Sequence, residues 1–325
     1  MQKNSYLRST IAAMLAAGLG LASAAAHAQA YPARPVTFIV PFGPGSGNDV
    51  IARIIAQKVG DNGALSMVVE NRPGASGGIG AELAAKSAPD GYTIFIASTS
   101  HVVNQLMTRA PYDLLKDFTP VSLAGTLPYI LLVSNTVPAK SVAELIALAK
   151  AKPGQLNYAG YPASVPHFMG EMLKAAGATG IELVSYKSTG DAQTDLLSGR
   201  VQIWFTTMPT ALPMAKPGKV RALGVSGDKR AAVLPDVPTM TEAGYPSIDV
   251  VVSFYVLAPA GTPAPIVARL SAEISKALAG ADVRERMAVL GIEPKSSTPE
   301  ELGAVLKSDV ARWGRIIRDS GIKAQ

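Results

Sequence analysis

The chain has 325 residues, with 30 Lys and Arg against 24 Asp and Glu, three His and no Cys. The lack of Cys excludes disulfide frameworks, thiolate zinc sites and attachment to a membrane through a lipidated Cys. The basic residues are dispersed, so a nucleic-acid surface is not expected, whereas the mild positive charge weakly favours small anionic ligands.

The first thirty residues have the pattern of an export signal. A basic start precedes an apolar, Ala-rich stretch over 11–26, and "AHAQA" offers cleavage after Ala28 or Ala30. The stretch is short for a membrane anchor, which needs about 20 apolar residues with suitable flanks. We therefore predict a signal peptide over 1–30 and a mature protein in the periplasm.

The remaining chain repeats one arrangement, a strand followed by a small polar loop and a helix. "VTFIV" (36–40) predicts the first strand, and the helix after it has an apolar stripe with 3.6-residue spacing: Ile51, Ile54, Ile55 and Val59. Further strands are predicted at 66–70, 89–98, 129–135, 156–160, 181–186, 201–205 and 220–226. This alternation predicts parallel sheets covered on both faces by helices.

The C-terminal part of the chain is predicted to be helical. Thr298 and Glu301 have the spacing of a capping box, and Pro299 takes the first helical position. In open α/β sheets, ligands bind beyond the carboxyl ends of the strands, where this chain has Gly-rich loops and helix starts. With two domains, the default site is the crevice between them.

A dinucleotide site is disfavoured by the loop "GPGSGN" that follows the first strand. Gly43 and Gly45 fit the first two glycines of G-x-G-x-x-G, but Asn48 stands where the third should be. No Walker lysine follows, and no other cofactor site is indicated. We expect no cofactor.

A serine hydrolase is the alternative from another functional class. "GASGG" (74–78) matches G-x-S-x-G with Ser76 as nucleophile, and His101 or His167 could be drawn as its base. Residues 70–73 separate this turn from the preceding strand, however, whereas a nucleophile elbow follows its strand directly. The two His also lack partners at metal-ligand spacing, so no metal site is expected.

Several long segments, in order, resemble the Bug family, the extracytoplasmic solute-binding proteins of tripartite tricarboxylate transporters. They are "YPARPVTFIVPFGPGSGNDVIARIIA", "VENRPGASGGIGAELAAKSAPDGYTI", "HVVNQLMTRAPYDLLKDFTPVSL", "YKSTGDAQTDLLSGRVQIWF", "VRALGVSGDKRAAVLPDVPTMTEAGYP" and "LAPAGTPAPIVARL". The resemblance covers essentially all of residues 31–325.

The resemblance implies an α/β periplasmic-binding-protein fold of type II-like architecture. Two α/β domains would be joined by two crossing strands, near residues 127 and 252, and would close on a ligand in the crevice between them. The implied domain I comprises 31–127 and 253–325, and domain II comprises 128–252.

The resemblance also implies a set of ligand-binding residues and no catalytic residue. The first loop would present backbone N–H groups around Ser46–Asn48, and Phe42 would form an apolar wall. The full expected set is Phe42, Gly45, Ser46, Gly47, Asn48, Asp49, Ser98, Thr99, Ser100, His101, Tyr161, Ala163, Ser164, His167, Tyr186, Ser188, Thr189, Phe205 and Thr206.

The sequence departs from the family pattern at three of these loops. Ser46 and Ser188 stand where Gly is common, and Thr206 stands where many members carry an acid that could pair with a ligand amine. The absence of that acid favours a ligand without a cationic group. Trp204 and Phe205 alternate along their strand, so only one of them faces the crevice.

The implied function is capture of a small di-, tri- or aromatic carboxylate by hinge closure, without catalysis. The expected partners are membrane transporter subunits, with a sensor ectodomain as the alternative, and the protein is expected to be a monomer.

Overall fold

The computed structural model describes residues 31–320. The chain divides into a leading unit, Met1–Arg34, and one compact unit, Pro35–Gln325. The predicted signal peptide and its cleavage sites lie outside the described residues.

Strands and helices alternate along the described chain, as the sequence predicts. The strands are β1 Val36–Val40, β2 Met67–Asn71, β3 Thr93–Ser98, β4 Phe118–Ser134, β5 Asn157–Gly160, β6 Glu182–Ser185, β7 Ile203–Thr207, β8 Val220–Val225 and β9 Val251–Pro259. The α-helices are α1 Gly47–Asp61, α2 Gly78–Ala85, α3 Thr99–Met107, α4 Val142–Ala151, α5 Val165–Ala175, α6 Thr189–Ser198, α7 Met208–Ala215, α8 Ala264–Ala279, α9 Ala281–Ala288 and α10 Pro299–Ser320.

The strands form two groups that share β4. Their order is β2-β1-β3-β9-β4-β7-β5-β6, and β8 also pairs with β4. We define the first lobe by β1, β2, β3, β9 and the start of β4, and the second lobe by the end of β4 with β5 to β8. β9 pairs with β4 from Phe118 to Pro128, and β7 and β8 pair with it from Tyr129 onward.

The expectation of purely parallel sheets is wrong for the strands that join the lobes. β1 pairs in parallel with β2 and β3, and β5 pairs in parallel with β6 and β7. β4, however, is antiparallel to β7, β8 and β9. The chain crosses to the second lobe along β4 and returns along β9, so these two strands run in opposite directions.

β4 is also much longer than the predicted strand over 129–135. Its first half contains Pro120, Gly125 and Pro128, which ordinarily interrupt a strand pattern. The structure accommodates two of them through register shifts against β9, between Pro120 and Ser122 and between Leu123 and Gly125. Bulges of this kind bend a strand and increase its twist without ending it.

The helices pack on the strands through the apolar stripes that the sequence predicts. Ile51, Ile54, Ile55 and Val59 of α1 are all buried, which confirms the stripe. At the start of α10 the Thr298 N–H donates to Glu301 at 2.9 Å and the Glu301 N–H donates to Thr298 Oγ1 at 3.2 Å. Both halves of the predicted capping box are therefore present. Across residues 31–320, no helix combines the length and apolar character needed to cross a bilayer.

Candidate functional site

A cavity with an empty volume of about 450 Å³, part of it open to solvent, lies between the two lobes. We call it the inner cavity. Both lobes contribute to it, and β4 and β9 contribute residues close to the point where they cross. Its lining residues are Phe42, Ser46, Gly47, Asn48, Ser98, Ser100, Tyr129, Tyr161, Pro166, Thr189, Trp204, Thr206, Thr207, Thr210, Val252 and Phe254. None of these residues carries a charged side chain.

Five helices begin at this cavity. α1 and α3 of the first lobe, and α5, α6 and α7 of the second, each place their cap residue or first turn on its wall. Each helix start leaves backbone N–H groups without intrahelical acceptors and carries roughly half a positive charge. The wall is therefore electropositive although it lacks Lys and Arg.

The start of α1 is built by the loop that follows β1. Ser46 is the N-cap, and its Oγ accepts from the Asp49 N–H at 3.3 Å. The Asn48 side chain donates to the Ile96 carbonyl at 2.9 Å, which fixes the loop against β3. The N–H groups of Gly47 and Asn48 have no acceptor within the described chain and are available to a ligand at the cavity wall.

Asp49 stabilises this loop without lining the inner cavity itself. Its carboxylate accepts from the Gly45 N–H at 2.9 Å, from the Arg53 guanidinium and from the Asn71 amide. Asp49 is buried and Arg53 is half-exposed. The predicted ligand contact at Asp49 is therefore a support for the loop, and Gly45 provides the turn with a φ of 79°.

The start of α3 is braced by a buried histidine. His101 Nδ1 accepts from the Ser98 N–H at 3.1 Å, which is one half of a capping box. Burial lowers the pKa of His101 from 6.5 to about 4, against the opposing effect of hydrogen bonding with the Ser98 and Gly77 backbone. The imidazole is therefore neutral at ordinary pH, and it lies beside Phe42 with ring centroids 5.7 Å apart.

The start of α5 in the second lobe repeats this arrangement. Ser164 is the N-cap, and His167 Nδ1 accepts from the Ala163 N–H at 3.1 Å. Ala163 has a φ of 51°, which turns the loop sharply before the helix. Burial also lowers the pKa of His167, and the nearby Glu171 opposes the shift.

Hydroxyl groups complete the wall of the inner cavity. The Tyr161 hydroxyl and Thr189 Oγ1 are 3.1 Å apart, and burial raises the pKa of Tyr161 to about 12. Burial likewise raises the pKa of Tyr129, whose hydroxyl interacts with Ser100. The Trp204 indole N–H is buried and has no acceptor within the described chain. These groups are neutral, and hydroxyl and indole hydrogens can donate to a ligand oxygen.

The two lobes touch around the cavity. Thr210 Oγ1 of the second lobe donates to the Gly45 carbonyl at 3.0 Å, and the Val165 N–H lies 3.4 Å from Ser100 Oγ of the first lobe. The rings of Phe42 and Tyr161 lie 5.7 Å apart across the cleft. The lobes are therefore closed on the cavity.

The predicted site residues fall into two groups. Those that line the inner cavity are Phe42, Ser46, Gly47, Asn48, Ser98, Ser100, Tyr161, Thr189 and Thr206. Those that support the loops, lie in the core or line another cavity are Gly45, Asp49, Thr99, His101, Ala163, Ser164, His167, Tyr186, Ser188 and Phe205. Trp204, rather than its neighbour Phe205, faces the cavity.

Several lining residues are absent from the predicted set, chiefly Tyr129, Val252 and Phe254 on the crossing strands and Thr207 and Thr210 at α7. The Thr207 and Thr210 hydroxyls lie 3.3 Å apart at the start of α7. The position of Thr207 between the end of β7 and the start of α7 is the signal that could have identified these two. Nothing in the pattern of an apolar strand identifies Val252 as a wall residue.

Ser76 does not have the surroundings of a nucleophile. Its Oγ donates to the Pro162 carbonyl of the opposite lobe. Nδ1 of each buried His already accepts a backbone N–H, and burial lowers both pKa values, which disfavours a protonated intermediate.

Two α/β lobes, joined by antiparallel crossing strands and closed over an electropositive cavity, define a periplasmic binding protein. The comparisons with known proteins agree. A family model described as "Tripartite tricarboxylate transporter family receptor", TctC, matches residues 51–322. The chain belongs to this family, which is a family of solute-binding receptors and not of enzymes.

Individual relatives match over nearly their whole length. Protein BugT of Bordetella pertussis is 37% identical over 305 residues, covering 93% of this chain and 94% of that protein. The structure of Rpa4515 from R. palustris with adipate shares 34% identity at a TM-score of 0.86, covering 90% of this chain and 99% of that one. The structure of MatC (Rpa3494) from Rhodopseudomonas palustris with bound malate shares 32% identity at a TM-score of 0.83, covering 88% of this chain and 100% of that one. The resemblance and fold class predicted from the sequence are confirmed.

Proposed function

We propose that this protein captures a small organic carboxylate in the inner cavity, in the periplasm, and presents it to the membrane subunits of a tripartite tricarboxylate-type transporter. The observation that carries the proposal is the meeting of five helix starts on a wall without charged side chains. Such a wall stabilises an anion through N–H groups and helix dipoles.

The same wall disfavours a cationic ligand. No acidic side chain among the described residues lines the inner cavity, so a ligand ammonium group would be desolvated without a partner. Thr206 occupies the position where an acid could have paired with an amine. The adipate and malate bound to two relatives are carboxylates, which supports this ligand class.

Closure of the lobes strengthens binding because it removes water from around the anion and its donors. Leu127 pairs with Val252, and Pro128 with Val251, where β4 and β9 cross between the lobes. We propose this crossing as the hinge, with 31–127 and 253–325 moving against 128–252. The Thr210 and Ser100 contacts across the cleft form only when the lobes are closed.

The experiment is a thermal-shift and calorimetry screen with succinate, citrate, glutamate, nicotinate, benzoate and the phthalates. Carboxylates without an amine should stabilise the protein, by about 2.7 kcal/mol at 100 times the dissociation constant. A strong response to glutamate, or to neutral compounds only, would contradict the proposed ligand class. The screen is repeated on protein that has been denatured and refolded, because denaturation releases any ligand retained in the closed cavity.

Two variants of similar shape test the charge of the ligand directly. Thr206→Asp adds a negative charge to the wall, whereas Thr206→Asn adds only a neutral side chain. Because like charges placed together cost several kcal/mol, the Asp variant should bind the identified carboxylate roughly 100-fold more weakly than the Asn variant. Equal affinities for the two variants would rule out an anion at this wall.

Transport and sensing are distinguished by whether deletion of the protein abolishes uptake of the ligand or only the response to it.

A further inference from the structure

A second cavity, with an empty volume of about 970 Å³ that is partly open to solvent, adjoins the inner one. We call it the outer cavity. The first lobe lines it chiefly with residues 74–77 and 108–111, and the second lobe with residues 161–162 and 185–187. Because both lobes supply its wall, the outer cavity has this form only while the lobes are closed.

Contacts between the lobes separate the outer cavity from the inner one. Phe42 and Tyr161 line both cavities, and their rings are in contact with centroids 5.7 Å apart. The residue after Tyr161, Pro162, accepts from the Ser76 hydroxyl of the opposite lobe at 2.5 Å. A ligand enclosed in the inner cavity therefore does not extend into the outer cavity, which is reached from the surrounding solution.

The outer cavity differs from the inner one in carrying charged side chains. Arg109 of the first lobe and Lys187 of the second line it, both are exposed, and no acidic side chain of the described residues lines it. Neither cation has an acidic partner within residues 31–320. Ala75 and Ser76 also line the cavity, and their backbone N–H groups have no acceptor in that part of the chain. Cations and N–H groups of this kind attract anionic groups.

The acidic side chain four residues after each cation is held by another group. Asp113, which follows Arg109, pairs with Lys116 at 2.8 Å. Asp191, which follows Lys187, accepts from the Ser188 hydroxyl at 2.7 Å. The two cations are therefore left to an anionic group from outside the chain.

We propose that the outer cavity is the docking site for an acidic segment of the partner protein, one that carries Asp or Glu side chains, and that the site is complete only when the lobes are closed on a ligand. The inference rests on the proposed function, because it takes the partner to be the protein that receives the ligand-loaded form. The site is recessed between the lobes, whereas the headgroups of a bilayer form a broad surface. A protein loop fits such a recess, and its carboxylates match the guanidinium and ammonium groups.

This arrangement makes recognition by the partner depend on the ligand. The ligand favours the closed lobes, and an acidic segment that engages both Arg109 and Lys187 favours the same state. Each raises the affinity for the other by the same factor, because coupling between two binding sites is reciprocal. Open protein carries the two cations on separated walls, so it competes poorly for the same partner.

The test uses a fluorescein-labelled hexaglutamate peptide as the probe, titrated at low ionic strength with and without a saturating carboxylate identified in the screen. Fluorescence anisotropy should show peptide binding about tenfold tighter with the carboxylate present, which lies within the usual range of coupling. Arg109→Gln and Lys187→Gln should each weaken peptide binding to the loaded protein about threefold, and the double variant about tenfold, because both cations are exposed. The affinity for the carboxylate alone should not change.

Two matched variants serve as controls. Lys307→Gln removes an exposed cation of α10 that lies outside both cavities, so it lowers the net charge equally and should leave the ligand-dependent part of peptide binding intact. Lys187→Arg keeps the charge in the outer cavity and should retain wild-type peptide binding. Vesicles of phosphatidylglycerol and phosphatidylethanolamine replace the peptide in a parallel titration.

The outcomes separate this inference from the proposed function. Peptide binding that is equal with and without the carboxylate, or that survives in the double variant, means attraction to the basic protein as a whole and overturns the docking site. Absence of peptide binding, or ligand-dependent binding to the vesicles instead, also overturns it. In each of these cases the carboxylate still binds and the proposed function stands. If no carboxylate of the screen binds to the wild-type protein, the proposed function fails, and the closure-dependent docking site fails with it.

Discussion

The two lobes begin their cavity-facing helices with the same short patterns but anchor them differently. Ser-x-x-Asp occurs at 46–49 in the first lobe and at 188–191 in the second, and Ser-x-x-His occurs at 98–101 and 164–167. In all four the Ser is the N-cap. Asp49 is buried and its carboxylate accepts from the Gly45 N–H, Arg53 and Asn71, whereas Asp191 is exposed and accepts from the Ser188 hydroxyl. The two imidazoles each accept one backbone N–H at 3.1 Å.

The largest expected difference between the two lobes is in how strongly pH changes folding stability through the buried histidines, His101 and His167. Burial lowers the pKa of His101 from 6.5 to about 4, so between these values the unfolded chain binds a proton that the folded chain does not. The free energy of unfolding should therefore be intact above pH 6.5 and fall as the pH drops towards 4, by about 3 kcal/mol from this group. Urea unfolding from pH 8 to 4 measures it.

Substitution of each histidine sharpens this comparison. His101→Asn keeps an acceptor for the Ser98 N–H and removes the titration, so this part of the pH dependence should disappear relative to the wild type. His167→Asn should remove less, because Glu171 opposes the lowering of the His167 pKa. If His101→Asn retains the full wild-type slope, the slope belongs to other groups.

The next largest difference is expected between the losses of folding stability on substituting Asp49 and Asp191. Asp49→Ala leaves the Gly45 N–H, Arg53 and Asn71 without their common acceptor and should cost about 2 kcal/mol of folding stability. Asp191→Ala removes an exposed carboxylate and its favourable place in the first turn of α6, which should cost about 0.5 kcal/mol. Chemical unfolding at pH 7 gives both values. Equal losses of folding stability would show that Asp49 and Asp191 stabilise their helix starts to the same extent.

The smallest difference is expected between the effects on ligand binding of substituting Gly47 and Gly190, the glycines at two of these helix starts. A Cβ on Gly47 would lie 3.1 Å from Phe254 and 3.3 Å from Thr207 Oγ1, which belongs to the opposite lobe, whereas a Cβ on Gly190 would meet only Ser188 Oγ at 3.9 Å. Gly47→Ala should therefore oppose closure and weaken ligand binding about tenfold, which corresponds to about 1.4 kcal/mol. Gly190→Ala should bind as the wild type does. Ligand titrations of both variants test this, and tight binding by Gly47→Ala would show that closure tolerates the methyl group.

Much of the fold follows from local sequence patterns, and part of the site follows from the family resemblance. Helical periodicity predicts α1 and the Thr298–Glu301 spacing predicts the start of α10, because both depend on residues close in the chain. The site loops at Ser46, Ser98 and Thr189 are implied by the family resemblance. The first half of β4 was missed because Pro120 and Pro128 break the strand pattern, and only pairing with the distant β9 keeps it extended.

The predicted site residues that do not line the inner cavity are those whose side-chain direction depends on tertiary packing. Asp49 and His101 have the chemistry of ligand contacts, but Arg53 and Asn71 hold the first, and the Ser98 backbone holds the second, behind the cavity wall. Tyr129 lines the cavity because it lies where β4 passes from the first lobe to the second. The choice between Trp204 and Phe205 depends on strand register, which their alternation alone does not fix.

The position of β9 between β3 and β4 also determines the order in which the molecule can be completed. Synthesis runs from the N-terminus, and β9 is made only after the whole of 128–250. The second lobe is a continuous segment, so its strands can pair as soon as they have been made. The sheet of the first lobe has a gap at its centre until Val251–Pro259 arrives. Long-range pairing of this kind raises contact order and slows folding. Until β9 has been made, the edges of β3 and β4 that it will pair with are open strand edges, and such edges promote aggregation.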